Sequence, residues 1–377
     1  MSLVYGSEMH RFQSGERHFA FLVPSSMVLE LDHESRGILD SLREGPQPAE
    51  SLASTQGARE ALRELAQLGA VGRDGTPLIP LSQPLVPDTP PPLSTLVLNV
   101  TNRCNLSCRY CYEYGDDRLE KRAETAAMTE ETARQSVETL IAESGANRKL
   151  QLTFFGGETL LNWKVLKPTM EYARRRAAEE GKLIDFALTT NATLLTSEII
   201  QFLADNHVGV MVSIDGPREL QDSMRVFSNG GGSYDLVAPK IKELLRVHRS
   251  RPIGARVTLT SAGIDVPGIF RHLTEELGFY EVGFAPVTSS PGQDYAIDGE
   301  GFHKVLQQFR ELAEEYVRGA LENRYVGFAN LSDLLGEIHQ GVAKSYACGA
   351  GLGLLGVAPG GQVGLCHRFA GAGDHDF

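Results

Sequence analysis

Between Leu93 and Glu322 the sequence switches six times from a short apolar run to a longer stretch of helical period, and this alternation constrains the fold more than any other feature. The strand-like runs are Leu96–Val100, Leu150–Phe155, Ile184–Thr189, Val208–Ile214, Ala255–Thr260 and Glu281–Pro286. Helical patterns follow them at Thr129–Glu143, Trp163–Glu180, Thr196–Asn206, Leu236–Arg249, Val266–Leu277 and Phe302–Glu322. Strand followed by helix, repeated, predicts a parallel sheet, because parallel neighbours need a crossover connection that a helix provides. The expected fold class is α/β, a parallel sheet curled into a partial (β/α)6 barrel over residues 93–322. In such a barrel the chemistry gathers on loops at the C-terminal ends of the strands. With 377 residues, 42% of them apolar, the chain can bury a full core, which rules out disorder over its whole length.

What precedes the barrel reads as a separate unit. Over residues 1–75, β-like runs at His10–Phe12, His18–Val23 and Met27–Leu31 lead into helical patterns at His33–Glu44, Pro48–Ser54 and Ala58–Leu68. A glycine turn and a last strand near Val71 close the unit. A small sheet followed by three short helices is the outline of a winged-helix module. Residues 76–92 then carry seven prolines, which can continue neither a helix nor a central strand and read as an extended linker. The balance of 36 basic against 48 acidic residues argues against broad binding to nucleic acid or to an anionic membrane. No apolar run is long enough to span a bilayer and the N-terminus lacks a secretion-signal core, so a soluble, cytoplasmic protein is expected.

The chemistry concentrates in the cysteines. There are five, an odd number without a secretion signal, which suits a metal inventory better than a disulfide framework. Three of them, Cys104, Cys108 and Cys111, fall in one C-x3-C-x2-C loop just after the first barrel strand. Three thiolates on a short loop can hold three irons of a cubane cluster and leave the fourth open to chelate an amine and a carboxylate. The alternative is a zinc knuckle completed by Cys348 or a histidine, although zinc ligands usually come in two pairs and no second pair lies nearby. Gly156-Gly157 at the end of the second strand lets backbone approach a ligand closely. Ser213 and Arg225 have the hydroxyl and guanidinium chemistry to hold a carboxylate.

The triplet, with aromatic Tyr110 before its last cysteine, resembles the radical S-adenosylmethionine (radical SAM) superfamily. Phe155-Gly156-Gly157-Glu158, Thr189-Thr190-Asn191, Ser213-Ile214-Asp215-Gly216-Pro217 and Asp222-Ser223-Met224-Arg225 follow in the order of that family's strand-end motifs. The resemblance implies a [4Fe–4S] cluster on Cys104, Cys108 and Cys111 with bound S-adenosyl-L-methionine. It implies that Gly156, Gly157 and Glu158 hold the methionine amino group and that Ser213 and Arg225 hold its carboxylate. Asn191 is expected to face the ribose and Tyr110 to lie beside the adenine, mostly by its backbone. The activity implied is reductive cleavage of the sulfonium to methionine and a 5′-deoxyadenosyl radical, with the difficult bond broken by the cofactor.

The other two cysteines, Cys348 and Cys366, stand in a C-x12-G-x4-C pattern around a hairpin with a Pro-Gly turn, Val357–Val363. This resembles the start of a SPASM segment, which carries auxiliary iron–sulfur clusters in peptide-modifying relatives, and residues 323–377 are assigned to it. Cys348 and Cys366 are then candidate ligands of an auxiliary [4Fe–4S] cluster. Two thiols are too few for a complete cluster, and the sequence stops eleven residues after Cys366. A truncated chain is expected, a site completed by other ligands or a vestigial one being the alternatives. By analogy with the aspartate that follows the second such cysteine in anaerobic sulfatase maturases, His367 is a candidate catalytic base. Asp374 is a second candidate, with Asp215 and Asp333 competing.

By outline, residues 1–75 resemble the winged-helix peptide-recognition element of peptide-modifying enzymes, which adds a peptide as an extra strand. The acid excess over its helical part suits phosphate contact badly and disfavours the plain DNA-binding reading. The whole order resembles a maturase of ribosomally made peptides (RiPPs). His10-Arg11-Phe12 and Cys366-His367-Arg368-Phe369 add a likeness to the maturases of quinohemoprotein amine dehydrogenase. That likeness implies thioether links from a cysteine sulfur to a carbon of Asp or Glu. The implied partners are a peptide or protein substrate bound through the N-terminal domain and an electron donor such as flavodoxin or ferredoxin, with no nucleic acid and no membrane. The alternatives are sulfatase-type or other radical peptide modification, and a zinc-stabilised adaptor without catalysis.

Overall fold

The computed structural model describes residues 2–73, 89, 91–113, 126–290, 292–341 and 348–369. Most of the proline-rich segment lies outside these residues, as do Asp374 and the chain end from 371 onward. The chain divides into two compact units, one of residues 1–88 with 331–348, the other of 89–330 with 349–377. The sequence-based division at 322/323 therefore falls elsewhere. Residues 331–348 group with the first unit, and those from 349 onward belong with the barrel.

The N-terminal part of the first unit, to which most of the later helix Ala329–Gln340 is added, holds two small antiparallel sheets and three short helices. In chain order these are β1 (Leu3–Gly6), β2 (Met9–Ser14), β3 (Arg17–Leu22), β4 (Met27–Leu31), α1 (His33–Ser41), β5 (Gln47–Pro48), α2 (Ala49–Leu52), α3 (Gln56–Gln67) and β6 (Val71–Arg73). One sheet runs β2-β3-β4 and the other β5-β1-β6. Alternation sends Ala20, Leu22, Leu29 and Leu31 inward to Ile38, Leu39, Leu62 and Leu65. Asp32 and Thr55 cap α1 and α3 by accepting from the amides of Ser35 and Ala58 at 2.8 and 3.0 Å. The second sheet was not anticipated from the sequence. Its middle strand, β1, has only four residues, of which Val4 alone is buried, so no period-2 pattern could develop.

The second unit has β7 (Thr95–Thr101), α4 (Glu130–Ala142), β8 (Lys149–Gly156), α5 (Trp163–Glu179), β9 (Leu183–Thr190), α6 (Ser197–Asp205), β10 (Gly209–Ser213), α7 (Arg218–Met224), α8 (Tyr234–Val247), β11 (Gly254–Leu259), α9 (Val266–Arg271), β12 (Glu281–Pro286) and α10 (Gly299–Leu321). After α11 (Ala329–Gln340) come β13 (Leu354–Val357) and β14 (Val363–Gly364). The sheet order is β12-β11-β10-β9-β8-β7-β13-β14, parallel from β12 through β13. The six β/α units expected from the sequence are all present, so the fold is the α/β parallel-sheet architecture of a partial barrel. Along β8, Leu150, Leu152 and Phe154 are buried while Gln151, Thr153 and Phe155 alternate on the other face. Threonines open α4 and α6 by accepting the Thr132 and Ile199 amides.

Three features differ from the sequence-based expectation. The predicted helix Val266–Leu277 is α-helical only to Arg271, and its last turn, His272–Leu277, is wound as a π-helix that ends on left-handed Gly278. Helix α7 was not anticipated, since seven residues opened by Pro217 carry too little periodicity. The hairpin β13/β14 joins the barrel sheet itself, β13 pairing in parallel with β7 from Leu354/Thr95 to Val357/Leu98.

Buried His248 donates from Nε2 to the Val208 carbonyl at 2.7 Å, and burial holds its imidazolium below the ordinary histidine value. The folded state thus resists a proton that the unfolded chain accepts below about pH 6.5, so stability falls as the pH drops through that value. The expected result is a melting temperature that declines on acidification more steeply in the wild type than in His248→Gln, read by circular dichroism between pH 7.5 and 5.

Candidate functional site

The C-x3-C-x2-C loop leaves β7 at its C-terminal end, where a barrel places its chemistry. Its backbone is held on two sides. On one, the amides of Gly157 and Glu158 donate to the carbonyls of Thr101 and Arg103 at 2.9 and 2.8 Å. On the other, the amides of Ser107 and Arg109 donate to the carbonyls of Val226 and Met224 at 2.7 and 3.1 Å, and Leu106 bridges to Phe227. The loop is therefore gripped between the end of β8 and the segment that follows α7.

The glycine pair supports this grip by its lack of side chains. A Cβ on Gly156 would land on the Thr101 carbonyl oxygen, and one on Gly157 on that of Arg103; Gly156 also has φ +148°. The Gly157 amide, with that of Glu158, serves the backbone that leads into the cysteine loop, a use the sequence reading did not anticipate. Gly157→Ala is expected to push the Arg103–Cys104 segment outward. It should lower both the melting temperature and the iron retained after reconstitution, which a colorimetric iron assay would measure.

Glu158 is buried and accepts three hydrogen bonds, from Leu160 N at 3.0 Å, Thr190 Oγ1 at 2.7 Å and Asn191 N at 2.7 Å. Burial pushes its carboxyl above the ordinary range while these donors pull it back. The carboxylate thus ties the end of β8 to the end of β9. Asn191 is engaged in the same corner. Its Nδ2 donates to Asn105 Oδ1 at 3.0 Å and approaches Cys104 Sγ at 3.8 Å, while its Oδ1 accepts from the Thr193 amide and hydroxyl. This side chain supports the cysteine loop.

The Tyr110 side chain makes contacts that the sequence reading, which expected this residue to act mostly by its backbone, did not foresee. Its hydroxyl donates to Asp215 Oδ2 at 2.5 Å and accepts from Arg225 Nη1 at 2.7 Å, so its side chain faces the cluster of charged groups after β10. Asp215, read as a spare acid–base group, is buried in that cluster, where burial raises its carboxyl against the pull of Arg225. Arg225 is buried too, and its Nε has no partner. Ser213 ends β10, two residues before Asp215.

The end of the hairpin brings His367 to this end of the sheet. Asn99 Nδ2, on β7, donates to the His367 carbonyl at 2.8 Å, and the imidazole lies 4.3 Å from the Phe155 ring. Arg368 stacks over Tyr112 at 5.3 Å. Burial and Arg368 push the His367 imidazolium down to about 4, so the ring is neutral near pH 7. Asn99 was missed in the sequence, although a lone amide in the apolar run Leu96–Val100 is the kind of signal that could have revealed it. Of the outlying cysteines, Cys348 is exposed in the first unit and Cys366 half-buried in the second, each described within its own unit. Asp333 lies exposed on α11, in the first unit, and Asp374 falls outside the described residues.

The profile of the radical SAM superfamily matches residues 98–265. The chain is 31% identical over 267 residues to a cysteine-type anaerobic sulfatase-maturating enzyme of Clostridium perfringens, covering 69% of each chain. It is 31% identical over 231 residues to a serine-type anaerobic sulfatase-maturating enzyme of Bacteroides thetaiotaomicron, matching 60% of this chain and spanning only 55% of that relative's length. In fold it is similar to anSMEcpe with bound AdoMet, with a TM-score of 0.63 and 23% identity over 74% of this chain and 75% of that one. It is also similar in fold to Streptococcus suis SuiB bound to the precursor peptide SuiA, with a TM-score of 0.53 and 14% identity over 99% of this chain and 85% of that one.

The radical SAM family uses a [4Fe–4S] cluster and S-adenosylmethionine, and the residues present fit both. Burial pushes the Cys104 thiol up to about 12 and that of Cys108 to about 11, and a charge on Cys111 adds to both. Thiols so placed ionise when a cationic centre compensates them, as iron does. Among the described residues no three His, Cys, Asp or Glu side chains surround a point that one metal ion could occupy. Ligands to separate irons of a cube need no such convergence. For the anion of S-adenosylmethionine, the unpartnered Nε of Arg225 is a buried donor that requires an acceptor. On its strand-end cysteine loop, its sheet and its likeness to these enzymes, the chain belongs to the radical SAM superfamily.

Proposed function

We propose that this chain is a peptide or protein maturase that modifies a ribosomally made polypeptide by radical chemistry. The observation that carries this reading is the position of the cysteine loop, gripped between Gly156–Glu158 and Met224–Val226 with His367 beside Phe155 at the same end of the sheet. It is supported by the names of similar proteins, which include sulfatase-maturating enzymes, the cyclopropyl synthase TigE and a SuiB structure holding a precursor peptide. Cys104, Cys108 and Cys111 would hold the cluster, and Ser213 and Arg225 the methionine carboxylate. Gly156, Gly157 and Glu158 would line the amino end. When bound, the pair of cofactors supplies a 5′-deoxyadenosyl radical that takes a hydrogen atom from the substrate.

The finer reading is thioether formation between a cysteine and an Asp or Glu of the substrate, as in maturases of quinohemoprotein amine dehydrogenase. It rests on His10-Arg11-Phe12 and Cys366-His367-Arg368-Phe369. In that reaction the 5′-deoxyadenosyl radical would take the carbon-bound hydrogen, and His367 would take the thiol proton once substrate charge raises its imidazolium from about 4. The electron left as the carbon–sulfur bond closes would pass to an iron–sulfur cluster. The first unit, with its small antiparallel sheets, would hold the substrate's leader as an added strand. A flavodoxin or ferredoxin would deliver the electron, and Cys348 and Cys366, each in its own unit, would be candidate ligands of auxiliary clusters. The names of the two sulfatase-maturating relatives favour a second reading, conversion of a sulfatase cysteine or serine to formylglycine.

The test is incubation of the reconstituted protein with dithionite, S-adenosylmethionine and synthetic peptides carrying a cysteine close to Asp or Glu, followed by mass spectrometry. Thioether formation removes two hydrogen atoms and one alkylatable thiol without adding an aldehyde. A hydrazide-reactive aldehyde would favour the sulfatase reading. Unchanged peptides, with brisk deoxyadenosine release, would count against both readings.

A further inference from the structure

The hydrogen bonds around Arg225 close into a ring that runs through five side chains. The Asp215 amide donates to Gln221 Oε1 at 2.9 Å, and Gln221 Nε2 donates to Ser233 Oγ at 2.9 Å. Ser233 Oγ donates to the Arg225 carbonyl at 2.6 Å. At the far end of the same residue, Arg225 Nη1 donates to Tyr110 Oη at 2.7 Å, and Tyr110 returns to Asp215 Oδ2 at 2.5 Å. Thr258 N steadies the other oxygen of Asp215 at 3.2 Å. Asp215, Gln221, Arg225 and Ser233 are all buried.

The ring fixes Arg225 at both ends, by its backbone through Ser233 and by its guanidinium through Tyr110. One donor of that guanidinium, Nε, is left buried and unpartnered. A donor in that state costs about 1–3 kcal/mol unless an acceptor meets it. A planar guanidinium gives its strongest contacts, to carboxylates, only when its edge is correctly aimed. Tyr110 is the only member of the ring that comes from the cysteine loop.

We propose that the Tyr110 hydroxyl is a positioning group that couples the cysteine loop to the aim of Arg225, and through it sets the affinity for the carboxylate of S-adenosylmethionine. This rests on the reading of Arg225 as the carboxylate holder. It assigns to the aromatic residue of the cysteine motif a role that its ring and backbone alone do not give. The phenolic oxygen takes one donor of Arg225 out of play, and the rest of the ring holds the remaining edge still.

The test compares two probes on reconstituted holoprotein by equilibrium dialysis: S-adenosylmethionine, and its decarboxylated form, which keeps the sulfonium and the amine. The wild type should bind the first more tightly, and equal affinity for the two would sink the carboxylate reading itself. Given that preference, Tyr110→Phe should weaken S-adenosylmethionine about tenfold, the scale of one charge-assisted hydrogen bond, and leave the decarboxylated probe unchanged. Gln221→Met breaks the ring away from the cysteine loop, at similar volume, and should cause the same selective loss. A purely structural role would lower the melting temperature and weaken both probes alike, or neither, and would overturn the proposal. So would a Tyr110→Phe protein that fails to retain iron while Gln221→Met keeps full selectivity, since Tyr110 would then be a support of the loop alone.

Discussion

Alanine at Cys104, Cys108 and Cys111 together should abolish the iron of this loop's cluster, lowering 5′-deoxyadenosine release by at least about a hundredfold, and should leave the fold intact. The first part follows from the donor set, because no other cysteine shares their loop. The second follows from how the loop is held. Its anchors are main-chain bonds to Val226, Met224, Gly157 and Glu158, together with the buried Leu106 side chain. Of the three thiols, Cys104 accepts two long, weak bonds, from the Leu106 amide at 3.4 Å and from Asn191 Nδ2 at 3.8 Å. The melting temperature of the triple variant should therefore stay close to that of the apoprotein. A variant that released deoxyadenosine at the wild-type rate would refute the assignment of these thiols.

Glu158→Ala should have the largest effect on stability, about 3 kcal/mol or more, because three buried donors lose their acceptor at about 1–3 kcal/mol each and a cavity opens. For a unit of this size that lowers the melting temperature by roughly 10 °C. Glu158→Gln separates charge from shape. Its amide would have to set an N–H against either the Asn191 or the Leu160 amide, so it should cost less than alanine but more than nothing. Differential scanning calorimetry of the three proteins gives the order. An alanine variant as stable as the wild type would mean that Glu158 does not tie β8 to β9.

The six barrel strands and their helices were legible because each carries an apolar face with a clear period. Val257 and Leu259 on β11, or Leu203 and Ala204 on α6, are buried where the pattern puts them. The cysteine loop was legible because spacing is local. What was not legible is the closure of the site by residues far apart in sequence. Tyr110 meets Asp215 over 105 residues and Asn99 meets the His367 carbonyl over 268, and neither pairing leaves a periodic trace. The resemblance to radical SAM motifs likewise gave no hint of the bonds that the Asn191 and Tyr110 side chains make with Asn105, Cys104, Asp215 and Arg225. The Gly156-Gly157 pair, read from sequence as a ligand contact, is also where a second backbone crosses too closely for a Cβ.

The account centres on a cysteine loop that carries a redox cluster for cleaving S-adenosylmethionine. The most direct measurement is iron and acid-labile sulfide per chain after anaerobic reconstitution, made together with 5′-deoxyadenosine release in the presence of dithionite. The predicted result is about four irons and four sulfides per chain, or about eight of each with an auxiliary cluster, with deoxyadenosine formed. Bound zinc without sulfide, and no deoxyadenosine, would contradict it.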